Sequence, residues 1–250
     1  MKIARYEYQG SRQYGVVEAE TISPVSGSIY GEFEVSSEKL PLHAVKLLPP
    51  VEPRKLICVG LNYALHAKES NAQIPEEPMI FMCSTAAIIG DGESIVLDSS
   101  EQRIDFEAEI AFIIKKQAKN RTAAEAKQYI LGYTCANDVS NRDLQRKDGQ
   151  FTRAKSFDTY KPLGPWVETD IDPNNLNISL RQNGVVKQSS NTNDMIFSVE
   201  QIFEFVSHVM TLEPGDVILT GTPSGVGPMQ SGDVIEIEIE GIGHLTNKVQ

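Results

Sequence analysis

The segment from Ile104 to Ile114 constrains the fold more than any other part of the sequence. Its even positions are all apolar, whereas its odd positions begin with Asp105, Glu107 and Glu109 and then turn apolar. A strand that is apolar on both faces at one end is covered by other layers on both sides there. The pattern therefore predicts a strand that runs from a polar edge into a layered core.

Glu107 and Glu109 are the first candidate functional residues. Residues two apart in a strand share a face and lie roughly 6.5–7 Å apart. Two carboxylates in a desolvated place repel each other unless a cation joins them, and ligation by carboxylates alone favours hard ions such as Mg²⁺ or Mn²⁺. By contrast, the three glutamates between Val234 and Glu240 alternate strictly with apolar residues, which is typical of a half-solvated strand.

For three further residues, the sequence allows both a functional and a purely structural interpretation. Asp138 ends an apolar run, so it is either a third carboxylate ligand or a residue that turns the chain or caps a helix. His66 and Glu69 share a face if residues 62–70 form a short helix. A carboxylate beside an imidazole raises its basicity and fixes its orientation, but a solvent-exposed pair on a surface helix has the same spacing.

Short strands dominate the rest of the chain, so we expect a mainly β fold of the α+β class. Two helices are predicted at Thr122–Ile130 and Ser198–Met210, because each opens with a capping-box pattern. Asn183-Gly184 predicts a hairpin turn. The predicted strands are Lys2–Tyr8, Gln13–Ala19, Ser28–Glu34, Lys55–Gly60, Met79–Met82, Ser94–Leu97, Ile104–Lys115, Trp166–Thr169, Ile178–Gln182, Asp216–Thr220 and Val234–Glu240.

A proline-rich segment divides the chain into two predicted domains. Pro49, Pro50 and Pro53 lie within five residues, and proline cannot donate to a β-ladder and favours extended geometry in the residue before it. We therefore expect a small N-terminal domain over residues 1–48 and a larger domain over residues 49–250.

The composition limits the partners and the compartment. The net charge of −11, from 23 basic and 34 acidic residues, disfavours binding to nucleic acid or to an anionic membrane. Met1–Gly10 lacks the apolar core of a signal peptide, and runs such as Ala111–Ile114 are too short to span a bilayer. Three cysteines without paired spacing favour a reducing compartment. We expect a cytoplasmic protein without nucleic-acid or membrane partners.

Five motifs, in order over about residues 47–250, together resemble the fumarylacetoacetate hydrolase superfamily. They resemble its short members in particular, which are grouped with acylpyruvate hydrolases and oxaloacetate-acting enzymes. The motifs are Gly60-Leu61-Asn62-Tyr63 with His66 and Glu69, Asp105-Phe106-Glu107-Ala108-Glu109, Asn137-Asp138-Val139-Ser140-Asn141-Arg142-Asp143 within Gly132–Gln145, Ala154–Thr159 before Pro162–Trp166, and Leu219–Pro228.

The resemblance implies a site and a fold. It implies a mixed β-roll of the fumarylacetoacetate hydrolase C-terminal type, a small β-rich N-terminal domain and a homodimer. Glu107, Glu109 and Asp138 match the ligands of Mg²⁺ or Mn²⁺, and His66 and Glu69 match a dyad that activates water. Lys155 matches a lysine that faces the oxygens of the substrate. The positions that line the same pocket are Arg142, Gln145 and Thr222.

The activity implied by the resemblance is hydrolysis of a C–C bond in a β-diketo 2-oxo acid, an acylpyruvate or a fumarylacetoacetate-like compound, through a metal-stabilised enolate. The alternatives are an oxaloacetate decarboxylase or tautomerase, a 2-hydroxyhepta-2,4-diene-1,7-dioate-type isomerase, and a non-catalytic relative that binds a metabolite. One departure bears on the substrate, since Cys83-Ser84 stands where many relatives carry Lys-Pro.

Overall fold

A computed structural model describes all residues from Met1 to Gln250. The N-terminal strands are β1 (Lys2–Tyr8), β2 (Ser11–Glu18), β3 (Thr21–Gly27), β4 (Phe33–Val35), β5 (Leu40–Pro41) and β6 (Lys46–Leu48). The middle elements are β7 (Leu56–Gly60), α1 (Ala64–Glu69), β8 (Met79–Cys83), β9 (Ile88–Ile89), β10 (Ser94–Ile95), β11 (Ile104–Phe106), β12 (Ala108–Ile114), α2 (Ala126–Tyr129), β13 (Ile130–Asn137), β14 (Ser140–Asn141) and α3 (Arg142–Asp148). The last elements are β15 (Lys161–Glu168), β16 (Asn177–Gln182), β17 (Val185–Asn191), α4 (Val199–Val209), β18 (Val217–Leu219), β19 (Gly227–Pro228), β20 (Val234–Ile239) and β21 (Gly243–Val249). Single 3₁₀ turns occupy Leu42–Ala44, Thr85–Ala87, Ala123–Glu125, Arg153–Lys155 and Thr192–Asp194.

The strands form three sheets, which confirms the mainly β fold class. The largest sheet has the order β4-β3-β2-β1-β15-β13-β12-β18-β7-β8, with β5, β6 and β9 attached at its side. A five-stranded sheet has the order β10-β21-β20-β16-β17, and a small sheet has the order β14-β11-β19. Most pairs are antiparallel, but β7 and β18 are parallel, so the large sheet is mixed.

The N-terminal strands extend the large sheet. β1 pairs antiparallel with β15, with Ile3 opposite Val167, and β6 ends at Leu48, next to the predicted division of the chain. The independence of residues 1–48 as a domain stays a prediction.

β12 is buried on both faces, as its sequence pattern predicts. Ile110 and Phe112 pack into the main core together with residues of the five-stranded sheet such as Ile237. Ala111 and Ile113 pack into a second core on the opposite side. The first two residues of the strand, Ala108 and Glu109, are buried as well.

Three local predictions need correction. The predicted strand Ser28–Glu34 is a turn, in which Gly31 N–H donates to Ser28 O, and only Phe33 begins a strand. The strand predicted from Ile104 to Lys115 is interrupted at Glu107, and its two parts belong to different sheets. Thr122–Ile130 is a 3₁₀ turn followed by the short α2, because the chain enters β13 at Ile130.

Other local predictions are confirmed. The side chain of Ser198 accepts from Gln201 N–H at the start of α4, and Asn183 and Gly184, both with positive φ, connect β16 and β17. The longest helix, α4, has 11 residues, and none of the helices is long and apolar enough to cross a membrane.

Candidate active site

Three buried carboxylates meet where the small sheet joins the large one. Glu107 lies in the break between β11 and β12, Glu109 is the second residue of β12, and Asp138 follows β13. Ligand oxygens of the three lie within 4.8 Å of one another. The pairing of β12 with β13 produces this meeting, because Ala108 lies opposite Asn137 and Asp138 N–H donates to Glu107 O at 2.9 Å.

Three buried or nearly buried cations contact two of these carboxylates. Lys155 Nζ donates to Glu107 Oε2 and to Asp138 Oδ2, at 2.7 Å each. Arg142 Nη2 donates to Glu107 Oε1 at 2.5 Å, and Lys161 Nζ lies 2.7 Å from Asp138 Oδ1. Burial by itself would raise the pKa of Glu107, but Arg142 and Lys155 outweigh it and lower that pKa to about 2.

Glu109 lacks a cationic partner of its own. Its carboxylate accepts one backbone hydrogen bond, from Gly221 N–H at 2.7 Å. Gly221 has a φ of +97°, and a Cβ there would approach the Cβ of Asn62 to 2.8 Å. Burial, and then the charges of Asp138 and Glu107, raise the pKa of Glu109 well above its ordinary value.

The cluster fits a hard divalent cation. Its donors are carboxylate oxygens only, which is the chemistry that Mg²⁺ and Mn²⁺ prefer. A cation there would relieve the repulsion that Glu109 experiences from Asp138 and Glu107. The sequence prediction of Glu107, Glu109 and Asp138 as metal ligands is thus compatible with where the structure places them.

A cavity of about 150 Å³ opens beside the carboxylates. The apolar lining residues are Val59, Leu61, Met79, Phe81 and Phe151, with Gly60 between them. The polar lining residues are His66, Glu107, Glu109, Arg142, Gln145, Lys155 and Thr222. A larger cavity of about 680 Å³ lies elsewhere, next to Met1, Ile3 and Tyr133, and contains none of the predicted site residues.

His66 and Glu69 form a hydrogen-bonded pair on α1. His66 Nδ1 lies 3.1 Å from Glu69 Oε2, and the Glu69 carboxylate also accepts from Gly225 N–H at 3.2 Å. Because an ionised carboxylate can only accept, Nδ1 is the nitrogen that donates, and in the neutral imidazole Nε2 then carries the lone pair. Of this pair, His66 lines the cavity, whereas the half-exposed Glu69 orients it.

Arg142 and Gln145 are fixed on the first turns of α3. The side chain of Asn141 caps this helix by accepting from Leu144 N–H. Arg142 Nη1 donates to Gln145 Oε1 at 2.9 Å, and its Nε donates to Asp105 Oδ2 at 2.9 Å. The guanidinium is therefore held on several sides before any ligand enters.

Sequence reasoning missed two polar residues next to the site. Lys161, the first residue of β15, is buried behind Asp138. The signal in the sequence that could have identified it is a lysine directly before the apolar residues Pro162 and Leu163. Asn62 connects the entrance of α1 to the rest of the site, because its Nδ2 donates to Thr220 O at 2.7 Å. Cys83 lies behind the site, with its Sγ 3.7 Å from that of Cys58, and does not line the cavity.

The geometry agrees with a family match. A model described as fumarylacetoacetate (FAA) hydrolase C-terminal matches residues 55–250. The chain belongs to the fumarylacetoacetate hydrolase family. The resemblance inferred from five motifs is thereby confirmed. Residues 1–50 of this family member match a second model, described as Rv2993c-like, N-terminal.

Enzymes with different reactions are similar to this fumarylacetoacetate hydrolase family member. Oxaloacetate tautomerase Fahd2a, mitochondrial, of Rattus norvegicus is 44% identical over 84% of this chain and 71% of its own length. The crystal structure of 2-hydroxyhepta-2,4-diene-1,7-dioate isomerase from Mycobacterium marinum has a TM-score of 0.92 and 42% identity, and covers 100% of this chain and 98% of that one. Maleylpyruvate hydrolase from Sphingobium sp. SYK-6, in complex with manganese (II) ion and pyruvate, has a TM-score of 0.83 and 28% identity over 100% and 98%.

Proposed function

We propose that this protein is a divalent-metal-dependent enzyme that interconverts the keto and enol forms of a small 2-oxo diacid, with oxaloacetate as the first substrate to test. One observation carries the proposal: His66, whose Nδ1 is committed to Glu69, lines the same small cavity as two of the carboxylates and two cations, namely Glu107, Glu109, Arg142 and Lys155. The similarity to the rat oxaloacetate tautomerase supports the choice of reaction.

The cluster of three carboxylates supports the metal dependence of the proposed enzyme. Glu107, Glu109 and Asp138 would hold Mg²⁺ or Mn²⁺, and a divalent cation supplies Lewis-acid chemistry to the carboxylate and 2-oxo oxygens of a substrate. The similar maleylpyruvate hydrolase was solved with manganese (II) ion and pyruvate.

The side chains of this chain supply binding and proton transfer. Arg142 and Lys155 are cations in a confined site, where they favour a dianionic substrate. Nε2 of His66 takes the proton from C3, and Glu69 stabilises the imidazolium that forms. The imidazolium then returns a proton to the 2-oxo oxygen, whose developing charge Lys155 stabilises. The net reaction moves one proton from C3 of the substrate to its 2-oxo oxygen.

Hydrolysis of a C–C bond, the activity expected from the sequence, is the second candidate. It is favoured by the His66–Glu69 pair, which could equally take a proton from an attacking water. The similar maleylpyruvate hydrolase is 28% identical, compared with 44% for the rat tautomerase. The greater identity to the tautomerase supports tautomerisation as the first candidate.

The test follows the enol of oxaloacetate by its ultraviolet absorbance with Mg²⁺-loaded protein. Parallel assays measure pyruvate formed from oxaloacetate and acetate formed from acetylpyruvate. His66→Ala is expected to slow tautomerisation by about 10²–10⁴-fold. His208→Ala is the matched control, because His208 is exposed on α4 and the hydrogen bond of its ring is to Glu204 O, away from the cavity.

Each other result overturns the proposal. Acetate formation that depends on His66, without enol turnover, replaces tautomerisation by hydrolysis. Pyruvate formation alone, unaffected by His66→Ala, identifies a decarboxylase. Full tautomerase activity in the presence of excess chelator excludes the metal.

The assembly and the location stay predictions. We propose a homodimer without nucleic-acid or membrane partners, as the sequence resemblance and the net charge of −11 imply. Analytical ultracentrifugation of the purified protein tests the dimer. Cell fractionation tests the cytoplasmic location.

A further inference from the structure

The peptide between the two glutamates has a strand partner on only one edge. β12 pairs with β13 from Ala108 onward, but its pairing with β18 on the other edge begins only at Ala111. Ala108 is completely buried. Buried backbone groups need hydrogen-bond partners, so side chains must replace the absent strand.

Two buried side chains fill this place and form a closed ring with Ala108. Ala108 N–H donates to Gln188 Oε1, and Thr222 Oγ1 donates to Ala108 O, at 2.9 Å each. Gln188 Nε2 closes the ring by donating to Thr222 Oγ1 at 2.9 Å. It also donates to Pro223 O at 2.9 Å. Gln188, on β17, comes from a hairpin of the five-stranded sheet.

We propose that Gln188 is a positioning residue for the carboxylate cluster, and that it acts through the Ala108 peptide. Both peptide bonds of Ala108 connect it to a glutamate, so fixing this residue fixes the directions in which Glu107 and Glu109 leave the backbone. The neighbouring N–H of Glu107 is held in a similar way by Asn137 Oδ1 at 2.9 Å. The inference rests on the metal site of the proposed function.

The ring also limits what Thr222 can do. Its hydroxyl proton is committed to Ala108 O, and one of its lone pairs is committed to Gln188. Thr222 therefore has no proton to donate to a substrate and can only accept through its remaining lone pair. Its main role is to support Ala108.

The test measures Mn²⁺ binding by electron paramagnetic resonance on the full chain, without substrate. Gln188→Met keeps a similar volume but removes every hydrogen bond of the amide. Residues that orient metal ligands typically contribute 10–100-fold to metal affinity, so we expect the Kd for Mn²⁺ to rise by about that factor. Gln182→Met is the matched control, because Gln182 lies in the same hairpin and bonds to Pro228 O and Asp233 instead. The Kd of Gln182→Met for Mn²⁺ is expected to equal that of the wild type.

A second variant tests the ring itself. Thr222→Val opens the same ring at its other side chain, so the double variant with Gln188→Met should bind Mn²⁺ about as weakly as either single variant. Thermal unfolding of each variant separates a loss of affinity from a loss of folding.

The outcomes distinguish this inference from the proposed function. A wild-type protein that does not bind Mn²⁺ overturns both. Two results overturn the role of Gln188 but leave the proposed function intact. One is wild-type affinity for Mn²⁺ in folded Gln188→Met. The other is a double variant whose rise in Kd equals the product of the rises in the two single variants. If Gln188→Met does not fold, wild-type affinity in Thr222→Val has the same meaning, because it opens the same ring.

Discussion

Lys161 Nζ lies 2.7 Å from Asp138 Oδ1, and both side chains are at most 2% exposed. Lys161 also donates to the backbone oxygens of Tyr160 and Val139. The other oxygen of Asp138 contacts Lys155, which lines the cavity. Asp138 is thus held by one lysine from behind and by another from the side of the cavity.

The Lys161–Asp138 pair predicts a large stability effect. Lys161→Met removes one of the two cationic partners of the buried Asp138 and leaves only Lys155, and breaking a buried pair costs up to about 3–5 kcal/mol of unfolding free energy. Urea denaturation measures it. Lys39→Met is the control, because Lys39 and Glu18 form an exposed pair whose contribution is at most about 1 kcal/mol. Equal stabilities of the two variants would contradict the importance of the buried pair.

Glu107→Gln is predicted to weaken metal binding strongly while the chain stays folded. The substitution keeps the shape of the side chain but removes the charge that Arg142 and Lys155 contact. Since residues that only orient ligands contribute 10–100-fold, loss of a direct ligand should weaken Mn²⁺ binding by more than about 100-fold. Isothermal titration calorimetry measures it, with Glu238→Gln on the solvated face of β20 as control. Retained Mn²⁺ affinity in Glu107→Gln would remove this residue from the ligand set.

Asp233 is predicted to make stability depend on pH below the physiological range. Partial burial by itself would raise its pKa, but hydrogen bonds from Gln230, Asn183 and Gln182 outweigh this and lower the pKa below 3.8. Its contribution is therefore fully present above pH 3.8 and is lost as the pH falls through the lowered value. Asp233→Asn should cost about 1 kcal/mol at pH 7 and progressively less below pH 3.8. Urea denaturation at several pH values tests this, and a difference that grows on acidification would contradict it.

Phe151→Ala is predicted to enlarge the range of substrates. Phe151 packs edge-to-face on Phe81 with ring centroids 5.1 Å apart, and both line the cavity. Removing the ring should raise kcat/KM for 2-oxo acids with longer chains, relative to oxaloacetate, by about tenfold or more. Phe157→Ala is the matched control, because Phe157 packs on Tyr160 and does not line the cavity. An unchanged ratio in Phe151→Ala would show that this wall does not limit substrate length.

Local patterns predicted those features that depend on neighbours in sequence. The capping residue Ser198, the turn Asn183-Gly184 and the two buried faces of β12 each follow from a few adjacent side chains. Ser28–Glu34 was predicted wrongly as a strand, because apolar residues such as Ile29 also occur in turns that pack on a core.

The sequence by itself determined the family, the covered strand and the set of polar residues available for a site. Only the tertiary structure decided that the strand breaks at Glu107 and that Ala108 lies opposite Asn137. It also decided that two distant residues support the site from behind: Gln188 lies 80 positions along the chain from Ala108, and Lys161 lies 23 positions from Asp138. The physical reason is that alternation of period two tells which face a residue occupies, whereas the partner of a buried polar group depends on which distant segment the fold brings beside it.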